Sequence, residues 1–340
     1  MNLSDIRIGI VGCGLVGRQY AERLRSLGAP VAAAADPVQE RAKNVAALSG
    51  AASYASARDL LETEAINLLC VCSPTPYHYE AVMAAAQRGA HIFCEKPLAE
   101  TLGQAREMHR AARETGVTLG LGFKMRFEAV FAEAKTMIDA GDIGPPLYSI
   151  ISYFQQVPPP DRAWYKEFGA ARDNIVHAID LSNWLLDRRP LQVRARLDNR
   201  LGYKGEDKVF LQVAYADGAL ASIHGGWVGP EYPPVATAHD ILFQVVGEAG
   251  YIAGDRSGHL KVASKRGVER HKLDPVDSFS AELRAFLKAL RRGEDPPVSA
   301  DDGLVAQAVI EAAFESHRRG EAVELDPRDW LGDGAGALRL

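Results

Sequence analysis

Three groups of residues in this chain have the types and spacing to do chemistry. The first is Ile8-Gly9-Ile10-Val11-Gly12-Cys13-Gly14-Leu15-Val16-Gly17, where an apolar run passes through a glycine-spaced turn into a helical pattern. The acidic Asp36 closes the next apolar run, about 20 residues on, as a dinucleotide site requires. Gly12 permits a tight turn, Gly14 lets a pyrophosphate approach the backbone, and Gly17 lets the helix lie close on the strand. The helix N-terminus offers unpaired N–H groups and a positive dipole end to phosphates. Asp36 is placed to accept hydrogen bonds from a ribose diol. The expected cofactor contacts here are therefore Gly12, Cys13, Gly14, Leu15, Val16 and Asp36. A turn that binds nothing would leave three glycines without a purpose.

The second group lies at strand tips in the same half of the chain. Glu95-Lys96-Pro97 ends a predicted strand and aims a lysine at the crevice where a nicotinamide ring would lie, and Ser73-Pro74-Thr75-Pro76-Tyr77-His78 leaves another strand tip at the same edge. Ser73, Pro74, Thr75, His78, Glu95 and Lys96 join the cofactor set. The third group, Asp173-Asn174-Ile175-Val176-His177-Ala178-Ile179-Asp180, puts Asp173, His177 and Asp180 at i, i+4 and i+7, one face of a helix. Each of these residues also has a purely structural reading. Lys96 could be a solvated lysine, Asp173 a helix N-cap, His177 a satisfied histidine under a loop, and Asp180 a partner for nearby backbone.

The elements that must position these residues change character midway. Up to residue 122, strands at 6–11, 31–35, 66–72, 91–94 and 118–121 alternate with helices at 16–27, 38–48, 77–88 and 101–115. That alternation predicts a doubly wound parallel sheet, with ligands at the carboxyl ends of its strands. After it come longer strands at 147–156, 191–197, 209–215, 219–227 and 241–246, with helices near 279–291 and 303–318. Asp217-Gly218 is a strong hairpin signal. The expected class is α/β plus α+β: a dinucleotide-binding domain over 1–122, then a mixed, largely antiparallel open sheet with helices on one face over 123–340. Val209, Leu211, Val213 and Tyr215 share one face of a strand while Phe210 lies on the other, and the strand at 241–246 is apolar on both sides. A sheet greasy on both faces needs two covers. Helices supply one and a second subunit the other, so a homodimer or homotetramer through this sheet is expected.

At 340 residues the chain exceeds the size of one typical hydrophobic core, and its 47% apolar and 24% charged content is ordinary for a globular protein. The net charge of −5 argues against nucleic acid or an anionic membrane as partner. No run is apolar and long enough to span a bilayer, and the N-terminus lacks signal-peptide features, so a cytoplasmic location is expected. The 4 cysteines, Cys13, Cys70, Cys72 and Cys94, have no His, Asp or Glu clustered with them at ligand spacing; they read as buried thiols, and no metal is expected. Pro158-Pro159-Pro160 reads as a stiff loop and the glycine-rich tail after Trp330 as loose.

Taken together, these motifs resemble the Gfo/Idh/MocA oxidoreductases, the family of inositol dehydrogenases and glucose–fructose oxidoreductase. The resemblance runs nearly end to end. It includes Gly12-Cys13-Gly14-Leu15-Val16-Gly17, Ser73-Pro74 with His78, Cys94-Glu95-Lys96-Pro97-Leu98-Ala99, Gly122-Phe123-Lys124-Met125-Arg126-Phe127, the Asp173, His177, Asp180 run, and Pro297-Val298-Ser299-Ala300-Asp301-Asp302-Gly303. Glu-Lys-Pro combined with the downstream Asp-x-x-x-His-x-x-Asp is the specific part.

The resemblance implies NAD(P)-dependent oxidation or reduction at a hydroxyl or carbonyl carbon of a sugar or cyclitol. It matches the family's catalytic lysine to Lys96, its catalytic Asp and His to Asp173 and His177, and its substrate-side aspartate to Asp180. Arg126 matches a position that often borders the substrate; Gln155, Trp164, Tyr165, Arg172 and Tyr232 are further candidates to flank it. An imidazole is the natural base near neutral pH, Asp173 would orient it, and Lys96 would hydrogen-bond the reacting oxygen, with Lys96 as the rival base. Family members often carry glycines around the catalytic aspartate, whereas here the stretch is Glu167-Phe168-Gly169-Ala170-Ala171-Arg172-Asp173 with Ile175 beyond it, a bulkier wall. Lys166, Arg172 and Arg126 add positive charge that would suit a carboxylate or phosphate. Asp36 followed by Pro37 favours NAD, while Arg41 keeps NADP open. Two alternatives stand beside the dehydrogenase: a lyase or glycosidase that oxidises a sugar transiently, and a non-catalytic sensor of the same fold.

Overall fold

The computed structural model describes residues 5–156, 167–228 and 239–326. They divide into two compact units, Met1–Lys124 with Asp277–Gln307, and Met125–Val276 with Ala308–Leu340. In chain order the elements begin β1 (Ile8–Val11), α1 (Leu15–Ser26), β2 (Val31–Ala35), α2 (Gln39–Ala47), β3 (Ala52–Tyr54), α3 (Ala57–Thr63), β4 (Leu68–Val71), α4 (His78–Gln87), β5 (His91–Cys94), α5 (Leu102–Thr115) and β6 (Leu119–Leu121). They continue with α6 (Ala129–Asp139), β7 (Pro146–Gln156), a π turn (Ala171–Ile175), α7 (Val176–Leu186), β8 (Pro190–Asp198), β9 (Lys208–Tyr215), β10 (Leu220–Val228) and β11 (His239–Gly247). The last are β12 (Gly250–Asp255), β13 (His259–Ser264), β14 (Gly267–Lys272), α8 (Ser278–Arg292), α9 (Ala300–Arg319) and β15 (Val323–Glu324). No described helix is long and apolar enough to cross a membrane.

In the first unit six strands pair in the order β3-β2-β1-β4-β5-β6, all parallel. This is the doubly wound topology, and its strand order reverses between β1 and β4. β4 is buried along its whole length, as a central parallel strand with both faces covered must be. Sequence reading passed over β3 and α3. β3 spans three residues, too short for a periodic signal, and α3 is held by a Ser56 cap that accepts the Asp59 N–H at 3.1 Å.

One expected boundary differs. The sequence placed everything from 123 on in the second domain, but 277–307 belongs to the first unit. The reason is packing: Leu283, Phe286, Leu287 and Leu290 of α8 enter the same core as Ile8, Ile10, Tyr20 and Phe93. Phe286 meets Phe93 edge-on, centroids 5.1 Å apart. Gly120 makes room for it, since a Cβ there would lie 2.5 Å from Phe286 Cε2.

The second unit holds a nine-stranded sheet, β14-β13-β12-β11-β7-β10-β9-β8-β15. Only the β7–β10 pair is parallel; the rest are antiparallel. Asp217 and Gly218, at φ 76° and 88°, turn β9 into β10. The loop is three residues, Ala216–Gly218, closed by the Tyr215 N–H on the Ala219 carbonyl at 2.9 Å and the Gly218 N–H on the Tyr215 carbonyl at 3.2 Å, and its last two residues are left-handed. Val209, Leu211, Val213 and Tyr215 are buried. Against this face Ser149 Oγ of β7 meets Ser182 Oγ of α7 at 2.6 Å, and the Tyr215 hydroxyl donates to Asn183 Oδ1 at 2.8 Å. The opposite face carries Tyr148, Ile150, Phe210, Leu220 and Leu242, all exposed. All four cysteines are free thiols.

Candidate active site

In the first unit β1 ends in the turn at Gly12, whose φ is 85°. A Cβ on Gly12 would sit 2.3 Å from the Ser73 backbone nitrogen, so only glycine lets the β1 and β4 loops approach. A Cβ on Gly17 would sit 1.9 Å from the Gly12 carbonyl oxygen, which fixes how closely α1 lies on the loop. Gly14 faces open space, and no side chain caps the helix it begins. The first N–H groups of α1 therefore stand ready for an anion. Leu15 is exposed and Val16 half-buried at this opening. Asp36 is buried; its Oδ2 accepts the Cys13 N–H and its Oδ1 the Val38 N–H, both at 2.8 Å. The Cys13 thiol is pushed up to about 12 by burial and by the Asp36 charge, so it is inert. Ser73 Oγ is buried with no hydrogen-bond partner among the described residues. An uncapped helix start, an open glycine and an orphaned hydroxyl fit a dinucleotide.

Two residues expected to face the cofactor are engaged inward. His78 is buried, with Nδ1 3.0 Å from the Pro97 carbonyl and Nε2 2.8 Å from the Ser73 carbonyl. It ties the β4 loop to the segment after β5, so it positions Lys96 rather than presenting a nitrogen to a ligand. Glu95 accepts the Tyr20 hydroxyl at 2.5 Å through Oε1 and the Lys96 N–H at 3.1 Å through Oε2. Lys96 is half-buried, Thr75 is buried and Pro74 half-buried.

In the second unit Asp173 sits in the π turn and His177 in the first turn of α7. The expected regular helix is locally widened there, a distortion frequent at functional sites. Its cause lies just upstream: Gly169 takes φ 86° over Glu206, whose Oε1 accepts the Ala171 N–H at 2.8 Å. Asp173 is thus no N-cap. Its Oδ2 accepts the Trp227 indole N–H at 3.2 Å and the Gln155 amide at 3.4 Å. Asn174 next to it donates from Nδ2 to the Tyr153 and Gly226 carbonyls, each at 3.3 Å. His177 is buried, as is every residue from 173 to 182.

Several expected substrate contacts are spent on each other. Arg126 and Asp180, both buried, form a two-point ion pair, Nε to Oδ2 at 3.0 Å and Nη2 to Oδ1 at 2.5 Å. Trp184 lies 5.6 Å from that guanidinium. Arg172 is held over the Phe314 ring at 4.3 Å and Phe168 at 5.5 Å, and Gln155 turns to Asp173. The extra positive charge read from Arg126 is therefore neutralised within the unit. Asp180→Asn should cost about 3 kcal/mol of stability, because it takes the carboxylate from a buried guanidinium; urea unfolding measures it. Trp164, Tyr165, Lys166 and Tyr232 lie outside the described residues.

A family model described as "Oxidoreductase family, NAD-binding Rossmann fold" matches residues 6–123, and its companion, "Oxidoreductase family, C-terminal alpha/beta domain", matches 135–325. The chain belongs to the Gfo/Idh/MocA oxidoreductase family. Inositol 2-dehydrogenase 3 of Saccharopolyspora erythraea is 30% identical over 95% of this chain and 96% of its own. The scyllo-inositol 2-dehydrogenase (NAD(+)) of Bacillus subtilis is 28% identical over 95% and 97%. An oxidoreductase from Agrobacterium radiobacter, solved with NAD+, L-tartaric acid and magnesium, superposes with a TM-score of 0.87 at 21% identity, covering 94% of this chain and 98% of that one. That structure shares the fold.

This member of the Gfo/Idh/MocA family carries site neighbours that sequence reasoning missed. Trp227 was legible in principle: it has the inward phase of β10, in step with Ile223, and a buried indole N–H needs an acceptor. Glu206 and Tyr20 carry no local signal, because their partners are distant in sequence.

Proposed function

We propose that this chain moves a hydride between NAD and a CH–OH carbon of a cyclitol or sugar. The observation that carries this reading is the 30% identity to an inositol 2-dehydrogenase across 95% of the chain. When NAD is bound, its nicotinamide takes or returns the hydride. His177 would accept the hydroxyl proton as the carbinol hydrogen leaves. Asp173, fixed by Trp227 and Gln155, would orient and stabilise the charged imidazole. Lys96 would hydrogen-bond the reacting oxygen and offset its developing charge. Gly12 to Val16, Ser73, Pro74 and Thr75 would hold the cofactor, with Asp36 on the ribose. NADH absorbance on a panel of inositols, aldoses and anhydro sugars tests the reading. Consumption of a sugar without net NADH would favour transient oxidation, and NAD binding with no turnover on any member would favour a sensor.

Asp36 should also set cofactor choice, since its charge repels a 2′-phosphate. Asp36→Ser is expected to lower the NAD-to-NADP ratio of kcat/KM by at least about tenfold. The reading includes a homo-oligomer formed through the open sheet face, where Phe210 at 50%, Leu220 at 55% and Leu242 at 54% exposure lie with Tyr148 and Ile150. In register, Tyr148 opposes Leu220 and Ile150 opposes Ser222 across the β7–β10 pair, so these side chains form one patch. A second copy of the chain would cover it. Light scattering at micromolar concentration should give a multiple of the 36.8 kDa chain mass, and a monomer would remove this part. A cytoplasmic location suits a chain whose cysteines are free thiols.

A further inference from the structure

We propose that Glu282, Tyr20 and Glu95 form one fixed chain of hydrogen bonds in which Glu282 is a neutral acid, and that this chain positions Lys96. The Tyr20 hydroxyl lies 2.5 Å from Glu95 Oε1 and 2.8 Å from Glu282 Oε1. A phenol has a single proton, and an ionised carboxylate can only accept. Two contacts between three oxygens therefore need a second proton, and one carboxyl must carry it.

The surroundings decide which. Glu282 is 1% exposed and its Oε2 is buried with no partner among the described residues. Glu95 is less buried, and its Oε2 already accepts the Lys96 N–H. Charge costs more where no donor meets it, so the proton belongs on Glu282. Burial, then the Glu95 charge, hold Glu282 well above the usual carboxyl range. Lys124 acts the other way, and Asp277 reinforces the shift. Burial and the Glu95 carboxylate likewise keep Tyr20 protonated. The donors then run in one direction: Glu282 Oε1–H to Tyr20 Oη, Tyr20 Oη–H to Glu95 Oε1, while the Lys96 N–H donates to Glu95 Oε2. Gly122 leaves the space this chain occupies, since a Cβ there would lie 3.1 Å from both Glu95 Oε1 and the Tyr20 hydroxyl. Tyr20 is on α1, the helix of the dinucleotide turn, and Glu282 on α8, so the chain joins both elements to the lysine segment.

This inference rests on Lys96 acting in the reaction, and the test keeps the two apart. Infrared difference spectra of wild type against Glu282→Gln should show the carbonyl stretch of a neutral carboxylic acid at neutral pH, and ¹³C-labelling of glutamate in the wild type should shift it. Tyr20→Phe should lower kcat roughly tenfold, the loss of a hydrogen bond to a charged group, with NAD affinity little changed. Glu282→Leu should act similarly, whereas Glu282→Gln, whose amide still donates to Tyr20, should hold kcat within about threefold. A wild-type spectrum without the neutral-acid band, or full kcat in Tyr20→Phe, overturns the proposal. Normal turnover in a Lys96→Ala variant that keeps the band would instead sink the lysine's role.

Discussion

Lys96→Ala is expected to lower kcat by about 10²–10³-fold, the usual cost of removing a donor aimed at developing oxyanion charge. NAD affinity should change little, because the phosphate-binding turn after β1 and the Asp36 carboxylate are untouched. His177→Ala should cost about 10²–10⁴-fold, the range for a lost general base, and should flatten the acidic limb of the kcat/KM profile. A base must be unprotonated to accept the carbinol proton, so a histidine base predicts activity that falls at acidic pH. Stopped-flow NADH formation measures both variants. Normal turnover in both would remove the assignment of chemistry to these two residues.

Gly17→Ala is the second large effect, and its sign is diagnostic. Inside an isolated helix alanine stabilises by about 1 kcal/mol relative to glycine. Here the added methyl would lie 1.9 Å from the Gly12 carbonyl oxygen, a backbone atom that cannot swing aside. Overpacking of this kind should reverse the sign and destabilise by about 3 kcal/mol. Moving α1 away from the loop would also misplace the N–H groups proposed to receive the pyrophosphate. Thermal unfolding with and without NAD measures both effects. An unchanged or higher midpoint, with NAD still adding stability, would refute the close approach.

Much of the first unit was legible because its signals are local. The glycine turn, Asp36 at the end of β2 and the strand–helix alternation each lie within one βαβ stretch. Membership of α8 was not legible: its apolar stripe of Leu283, Phe286 and Leu290 shows that the helix is buried, not which core buries it. In the second unit the run from Asp173 to Asp180 read as a regular helix. The π turn that widens it depends on Gly169 and Glu206, which are adjacent only in the folded chain. The pairing of Arg126 with Asp180 was not legible for the same reason, since a two-point pair across 54 residues leaves no periodic trace. Strand β14, Gly267–Lys272, was passed over because it is charged and largely exposed, and so lacks the alternation that reveals a half-buried strand.

The single parallel pairing in the second sheet bears on how that sheet comes together. β8-β9-β10 and β11-β12-β13-β14 are each meanders of sequence neighbours, joined by connections of two to nine residues. β7 is the only strand bonded to both groups, with β10 on one side and β11 on the other. Its parallel partner β10 cannot be reached by a hairpin, and the loop to be closed spans the π turn, α7, β8 and β9. β7 therefore gains its partners only by closing long loops, with Gln156 set against Val228 and Gln155 against His239, so its pairings cost more chain entropy than any pairing within the two ribbons.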